Sequence, residues 1–142
     1  MLRSIFFSVK ISLLVFSVLC TGCRSKYDDC TEEDYRNCNT IRPVTGIVEV
    51  LLTIDNQIPR VTVSMFEGDF EDDNLIWEKE ASSQRITEVL DVEKYYSFMA
   101  VYQRDGATIT AVDGGEIEVI RYTMCEYTCY EAKDLTIDLV LK

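Results

Sequence analysis

Residues 95–112 read YYSFMAVYQRDGATITAV. The stretch consists of an apolar run, a polar turn and a second run in which apolar and polar residues alternate. The first eight residues form the longest apolar run after the N-terminal segment, which is typical of a central strand. The pair Asp105-Gly106 is a strong hairpin signal, because both residue types tolerate the positive φ values of a tight turn. We therefore predict two antiparallel strands joined at this pair.

Similar short alternating segments flank this hairpin on both sides. The predicted strands are residues 46–55, 61–65, 75–80, 86–90, 95–102, 108–112, 116–122 and 135–141. Residues 113–115, Asp-Gly-Gly, are predicted to form a turn. No window shows the spacing of an amphipathic helix. Seven or eight short strands separated by polar turns predict an all-β fold, an antiparallel two-sheet sandwich, with a small barrel as the alternative.

Residues 91–100, DVEKYYSFMA, follow a valine-rich second strand and a polar hairpin. This order resembles prealbumin-like (transthyretin-like) bacterial domains, which carry a tight turn, a tyrosine and an alternating strand at this point. The resemblance spans residues 45–141. It implies a prealbumin- or immunoglobulin-like sandwich, and a fold of this kind does not by itself imply a function.

The N-terminal residues have the pattern of an export signal. Arg3 and Lys10 precede an apolar run at residues 11–19, which is of secretory length. The run is shorter than the roughly 20 apolar residues that a bilayer-spanning helix needs, so an uncleaved anchor is the lesser alternative. Residues 19–23, LCTGC, resemble the lipobox of bacterial lipoproteins. The resemblance implies cleavage after Gly22 and attachment of Cys23 to membrane lipid.

These patterns divide the chain into three parts. Residues 1–22 are the predicted signal peptide, residues 23–43 the lipidated cysteine and an acidic tether, and residues 44–142 the β-sandwich domain. The acidic residues at 28–34 resemble the surface-export signal of some Gram-negative bacteria, and a solvated tether is the alternative. The expected location is the bacterial outer membrane, with the body facing the periplasm or the medium.

The cysteine count fits an oxidising compartment. Once Cys23 carries lipid, four cysteines follow it: Cys30, Cys38, Cys125 and Cys129. An even number predicts two disulfides, and all three pairings are open. A zinc site is the alternative, but seven residues separate the first pair, whereas paired zinc ligands usually stand two to four residues apart.

Composition excludes several function classes. The chain has 25 acidic and 14 basic residues, a net charge of −11, and no histidine. The negative charge repels nucleic acid, so no nucleic-acid partner is expected. The absence of histidine excludes Ser-His-Asp and Cys-His nucleophile pairs and histidine zinc sites. No motif in the sequence implies a cofactor.

An acidic stretch before the third strand partly resembles a calcium loop. Asp69, Glu71, Asp73 and Glu80 stand at spacings found in an EF-hand. Asn74 replaces the glycine that makes the sharp turn of that loop, and the flanks read as strands. These four residues are therefore only weak calcium candidates, and a solvated hairpin tip is the main interpretation.

Three tyrosines near the last cysteines are candidates for a binding patch. Tyr122, Tyr127 and Tyr130 offer aromatic area with a polar end, which suits a sugar or protein ligand, and packing in the core is the alternative. Asp113 is expected to shape a turn rather than to act in acid–base chemistry.

These observations lead us to expect a lipid-anchored envelope lipoprotein that acts as a non-enzymatic binding or structural module. Its expected partners are the membrane lipid at Cys23 and a protein or glycan of the envelope. The alternatives are an enzyme of envelope glycans with paired carboxylates, and an inhibitor of a hydrolase that uses a loop near residues 125–129.

Overall fold

The computed structural model describes residues 30–142, which fall into two compact units, residues 30–37 and Cys38–Lys142. The predicted signal peptide, Cys23 and the first part of the tether lie outside the described residues, so the expectations about them stay predictions. Within the described part of the chain, no helix is long and apolar enough to span a bilayer.

The first unit contains a short helix, α1 (Glu32–Asn37). Its start is a capping box. The Asp34 carboxylate accepts hydrogen bonds from the Thr31 backbone N–H at 2.7 Å and from the Thr31 hydroxyl at 2.8 Å, and these bonds lower the pKa of Asp34. The helix lies in the segment predicted as an irregular tether. Hydrophobic periodicity missed it because a six-residue helix without buried residues has no apolar face.

The second unit is built from strands, and the predicted all-β, sandwich-like fold in antiparallel sheets is confirmed. Three sheets have the strand orders β4-β1-β9, β3-β2-β5-β6 and β7-β8. The strands are β1 (Thr45–Leu51), β2 (Val61–Glu67), β3 (Leu75–Ala81), β4 (Arg85–Asp91), β5 (Tyr95–Arg104), β6 (Ala107–Glu116), β7 (Val119–Met124), β8 (Tyr127–Ala132) and β9 (Leu135–Asp138).

Two features of the strand arrangement differ from the expectation. The described residues contain nine strands, because β8 forms where the cysteine-containing sequence shows no clear alternation. One pair, β1 with β9, is parallel, with Val50 opposite Ile137. Parallel neighbours need a crossover instead of a tight turn, and the long chain between β1 and β9 supplies it. Alternation shows which side chains share a face but not the direction of the neighbouring strand.

The two larger sheets share one apolar core. In the four-stranded sheet, Met65 stands opposite Phe98 and Val63 opposite Ala100, and all four are buried. Burial of a side chain the size of valine or phenylalanine stabilises a fold by about 1.5–3 kcal/mol, so these rows carry much of the stability. The core residues contributed by the three-stranded sheet are Val48, Val50 and Ile137.

A mixed cluster closes one side of the core between the edge strands β3 and β4. The Lys79 ammonium lies 2.5 Å from a Glu88 carboxylate oxygen and 4.0 Å from the centroid of the Trp77 ring. The Trp77 ring meets Phe98 edge to face, with centroids 6.2 Å apart. The aliphatic part of Lys79 thus covers apolar surface while its charge is paired.

The predicted hairpin at Asp105-Gly106 is confirmed. Arg104 pairs with Ala107, and the two turn residues have φ values of 53° and 78°. Both values are positive, as a two-residue hairpin turn requires. The local sequence was therefore sufficient to locate this turn.

The predicted turn at residues 113–115 is wrong, because these residues lie within β6. Both glycines serve close packing instead. A Cβ at Gly114 would stand 2.8 Å from the Tyr95 hydroxyl oxygen, and one at Gly115 would stand 2.8 Å from a Leu135 methyl carbon. Asp113 shapes no turn either, since its carboxylate accepts a hydrogen bond from the Asp138 backbone N–H at 2.7 Å and so connects β6 to β9.

Tyr102 joins the two larger sheets by hydrogen bonds inside the core. Its side chain is fully buried, and its hydroxyl donates to the Leu139 carbonyl at 2.6 Å and accepts from the Thr53 N–H at 3.3 Å. Leu139 follows β9, whereas Tyr102 lies in β5. Burial raises the pKa of Tyr102 above its ordinary value.

We expect the protein to lose stability above about pH 10, the ordinary pKa of tyrosine. Because the pKa of Tyr102 is raised in the folded state, its contribution is complete below the unfolded-state pKa and is lost as the pH rises through the folded-state value. Burial also raises the pKa of Tyr96. Hydrogen bonds and ion pairing with Asp91 and Glu67 raise the pKa of Lys94. Deprotonation of either group at alkaline pH therefore also lowers the stability.

Urea unfolding of Tyr102→Phe between pH 7 and pH 11 checks this expectation. At neutral pH the variant should lose about 1–3 kcal/mol, because the buried Leu139 carbonyl and the half-buried Thr53 N–H lose their partner. Above pH 10, the further loss of unfolding free energy should be smaller in this variant than in the parent. Tyr95→Phe, at a side chain that is 42% exposed, is the matched control. If the free energy of unfolding of Tyr102→Phe fell above pH 10 as steeply as that of the parent, Tyr102 would not be the group responsible.

Candidate functional site

The hairpin of β7 and β8 brings together most of the residues that the sequence singled out. Tyr122 stands opposite Cys129, and Met124 opposite Tyr127. Arg121 stands opposite Tyr130, one position further along each strand and therefore on the other face of the hairpin. The three candidate tyrosines thus lie on one hairpin but divide between its two faces.

Disulfides secure this hairpin, as the cysteine count predicted. Cys38 is bonded to Cys129, with the two Cα atoms 5.1 Å apart and a sequence separation of 91. Cys30 and Cys125 are disulfide-bonded as well, so no thiolate set for zinc exists among these four. Of the pairings that the sequence left open, the structure therefore has a long-range one. The side chain of Cys129 is fully buried.

The chain beside Cys38 also follows strand β8. The Tyr130 backbone N–H donates a hydrogen bond to the Asn39 carbonyl at 2.8 Å, next to the disulfide. At the other end of the hairpin, Cys125 has a φ of 57° in a two-residue turn between Met124 and Tyr127. A covalent bond, a backbone hydrogen bond and a tight turn together hold the hairpin in place.

A cleft opens on the face of the hairpin that carries Tyr130. It has a volume of about 250 Å³ and is lined by Arg42, Val119, Arg121 and Tyr130. We call it the arginine cleft. Three of its residues come from β7 and β8, and Arg42 comes from the segment between the disulfide and β1.

The two arginines of the cleft differ in their electrostatic state. Arg42 forms an ion pair with Glu93, and both side chains are about half exposed. Glu93 lies in the left-handed region with a φ of 59°, and its N–H donates to the Ile117 carbonyl at 2.9 Å, which holds the turn that carries the carboxylate. Arg121 is exposed and forms no ion pair with any described residue.

The unpaired state of Arg121 is exceptional within the described part of the chain. Every other lysine and arginine between residues 30 and 142 has a carboxylate oxygen within 4.0 Å. The paired cations are Arg36, Arg42, Arg60, Lys79, Arg85, Lys94, Arg104, Lys133 and Lys142. Carboxylates outnumber cations in this protein, so an arginine without one marks the cleft as a place suited to an external anion.

The weak calcium candidates are not brought together. Asp69, Glu71 and Asp73 lie in and around a 3-10 turn (Phe70–Asp72), whereas Glu80 is on β3 and pairs with Arg60 at 3.2 Å. Glu80 follows the start of β3 by five residues, about 16 Å of extended chain. Between residues 30 and 142, no group of three or more cysteine, aspartate or glutamate side chains is arranged to hold a metal ion.

A second, larger cleft of about 410 Å³ lies beside the exposed connection between β3 and β4 and the C-terminal segment. Its lining residues are Leu51, Leu52, Ser83, Gln84, Arg85 and Val140. Arg85 is already paired with Glu49 at 3.2 Å. Among the described residues, no aspartate or glutamate lines this cleft or the arginine cleft.

Comparison with protein-family models, with curated proteins and with solved structures finds no match to this chain. The function must therefore be argued from the residues themselves. Sequence reasoning identified Tyr130 but missed Arg42 and Arg121. Single exposed arginines give no motif, and only the register of β7 with β8 shows that Arg121 stands beside Tyr130.

Proposed function

We propose that this protein is a lipid-anchored bacterial envelope lipoprotein whose prealbumin-like β-sandwich acts as a non-enzymatic binding module. The observation that carries the proposal is the disulfide between Cys38 and Cys129. Disulfides form and persist in oxidising compartments, and a secretory signal with a lipobox-like end leads a chain to such a compartment. The oxidised cysteines and the predicted export signal thus support the same location, an oxidising compartment, independently of each other.

The proposed anchor is an acylated Cys23 in the bacterial outer membrane, with the body facing the periplasm or the medium. A lipoprotein anchor with more than one acyl chain gives stable membrane attachment, whereas a single chain gives only marginal binding. The acidic tether and the net charge of −11 would keep the body away from anionic headgroups. The body is then available to a protein or glycan partner.

A binding role is favoured over the two alternatives by the shape of the hairpin and the clefts. A carboxylate-based glycan hydrolase needs two acidic groups about 5–9.5 Å apart in its cleft, and no acidic residue lines either cleft described above. A hydrolase inhibitor would use a protruding loop near residues 125–129, where β7 and β8 are joined by a two-residue turn. The arginine cleft, in contrast, offers beside an aromatic ring a cation that has no ion-pair partner among residues 30–142.

Metabolic labelling with radioactive palmitate tests the anchor. We expect label in the parent protein and recovery of the protein in the membrane fraction. Cys23→Ser should take up no label and should leave the outer-membrane fraction, because the acyl chains supply the membrane affinity. Cys20→Ser, three residues earlier in the same signal, is the matched control and should behave as the parent. Labelling of Cys23→Ser, or its unchanged fractionation, would overturn the proposed anchor.

A further inference from the structure

We propose that the arginine cleft binds the carboxylate of a small acidic ligand, of the class of acidic sugars. This inference names the ligand class of the proposed binding module and rests on that function. Three observations carry it: the charge of Arg121, which no carboxylate of residues 30–142 pairs, the size and lining of the cleft, and the support of the hairpin beneath it by a disulfide.

The charge of the cleft is suited to one negative group. Glu93 balances Arg42, so the positive charge that the described residues leave uncompensated is that of Arg121. A guanidinium presents its N–H donors as a planar fork that matches the two oxygens of a carboxylate. Arg42, which is half exposed, has further N–H donors that can reach a bound oxygen while its pair with Glu93 persists.

The charge of the whole protein favours a carboxylate over a doubly charged phosphate. With a net charge of −11, the long-range field repels anions, and the repulsion grows with the charge of the ligand. A single carboxylate matches the one uncompensated cation and meets the weaker repulsion. The binding should also weaken when salt is added, because the site is open to solvent.

The dimensions and lining of the cleft indicate a small ligand or the end group of a larger one. Its volume of about 250 Å³ lies just below the range of about 300–1,000 Å³ that is usual for small-molecule sites. Tyr130 supplies an aromatic ring and a hydroxyl, and Val119 supplies apolar surface. A ligand with a carboxylate on a compact ring that has both apolar and hydroxyl-bearing surface uses all of these groups.

The site is held in place before a ligand arrives. Tyr130 follows the disulfide-bonded Cys129 directly, and its backbone is bonded to Asn39. Arg42 is held by its pair with Glu93. Little ordering of the backbone is therefore needed on binding, which favours affinity.

Titration of the full chain with glucuronate tests the proposal. The protein is produced with its disulfides, purified in a neutral detergent and followed by isothermal calorimetry at low salt. We expect saturable binding of glucuronate, no binding of glucose, and weaker binding of inorganic phosphate. Arg121→Gln should weaken glucuronate binding at least tenfold.

Arg104→Gln is the matched control, because it removes the same charge from an exposed arginine that pairs with its neighbour Asp105 outside the cleft. It should change the affinity by less than twofold. Arg121→Lys keeps the charge but loses the planar fork, and it should weaken binding at least threefold. This conservative variant keeps the test decisive even if the glutamine variant folds poorly.

Several results would overturn the proposal. These are no saturable binding of glucuronate, equal binding of glucose, or equal losses in Arg121→Gln and Arg104→Gln. Tighter binding of phosphate than of glucuronate would overturn the assignment to a carboxylate. None of these results depends on acylation of Cys23, so a failure here is distinct from a failure of palmitate labelling, which tests the envelope anchor.

Discussion

Removal of the disulfide by Cys38→Ser together with Cys129→Ala is expected to lower the free energy of unfolding by about 3 kcal/mol. The bond joins residues 91 positions apart, but Cys30 and Cys125 stay bonded, so in the unfolded chain the bond closes a much shorter loop. A loop of about 15 residues corresponds to about 3 kcal/mol. Single domains are usually stable by only about 5–15 kcal/mol, so this loss is a large share of the total. Alanine suits position 129 because Cys129 is fully buried.

Chemical denaturation without reductant measures this loss as a lower midpoint. Ser82→Ala, in the exposed connection between β3 and β4, is the control and should leave the midpoint unchanged. Intact mass after alkylation establishes that Cys30 and Cys125 stay bonded in the double variant. If its midpoint equals that of the parent, the bond between positions 38 and 129 contributes nothing to stability and our account of the hairpin is wrong.

Replacement of Phe98 by alanine should cost about 3–5 kcal/mol. Phe98 lies in the centre of β5, is fully buried, and contacts the Trp77 ring edge to face. Its loss removes apolar burial, leaves a cavity between the two larger sheets, and takes away the ring contact that positions Trp77 under Lys79. The same denaturation experiment measures the effect.

The chain offers a matched phenylalanine for comparison. Phe70 lies in the 3-10 turn before β3 and is 41% exposed. Phe70→Ala removes the same atoms from a site that water already reaches, so it should cost less than about 1 kcal/mol. If both variants lose the same stability, the core does not lie between the sheets as described.

Much of the fold was accessible from local sequence pattern. The apolar run at residues 95–102 became the central strand β5, and Asp105-Gly106 became the tight turn after it. Both depend on properties of neighbouring residues, namely the alternation of side chains along a strand and the backbone freedom of glycine. The same local rule failed at residues 113–115, where the glycines make room for Tyr95 and Leu135.

The candidate site was predictable only in part. Counting cysteines predicted that Cys30, Cys38, Cys125 and Cys129 form disulfides, but not which cysteines are partners. The strand β8 was missed, and with it the pairing that puts Arg121 opposite Tyr130. Arg42 and its partner Glu93 stand far apart in the chain, so the sequence does not reveal their ion pair. For the same reason it does not reveal that Arg121 has no partner among residues 30–142.

By itself, the sequence determined the alternation that makes this an all-β protein, the hairpin turn at residues 105–106 and the parity of the cysteines. Each of these follows from covalent structure or from residues within a few positions of one another. Tertiary structure alone decided the parallel pairing of β1 with β9, the partner of Cys38, and the meeting of two arginines beside Tyr130. These depend on the packing of distant strands against a shared core, which is a collective outcome of apolar burial and not a property of any local segment.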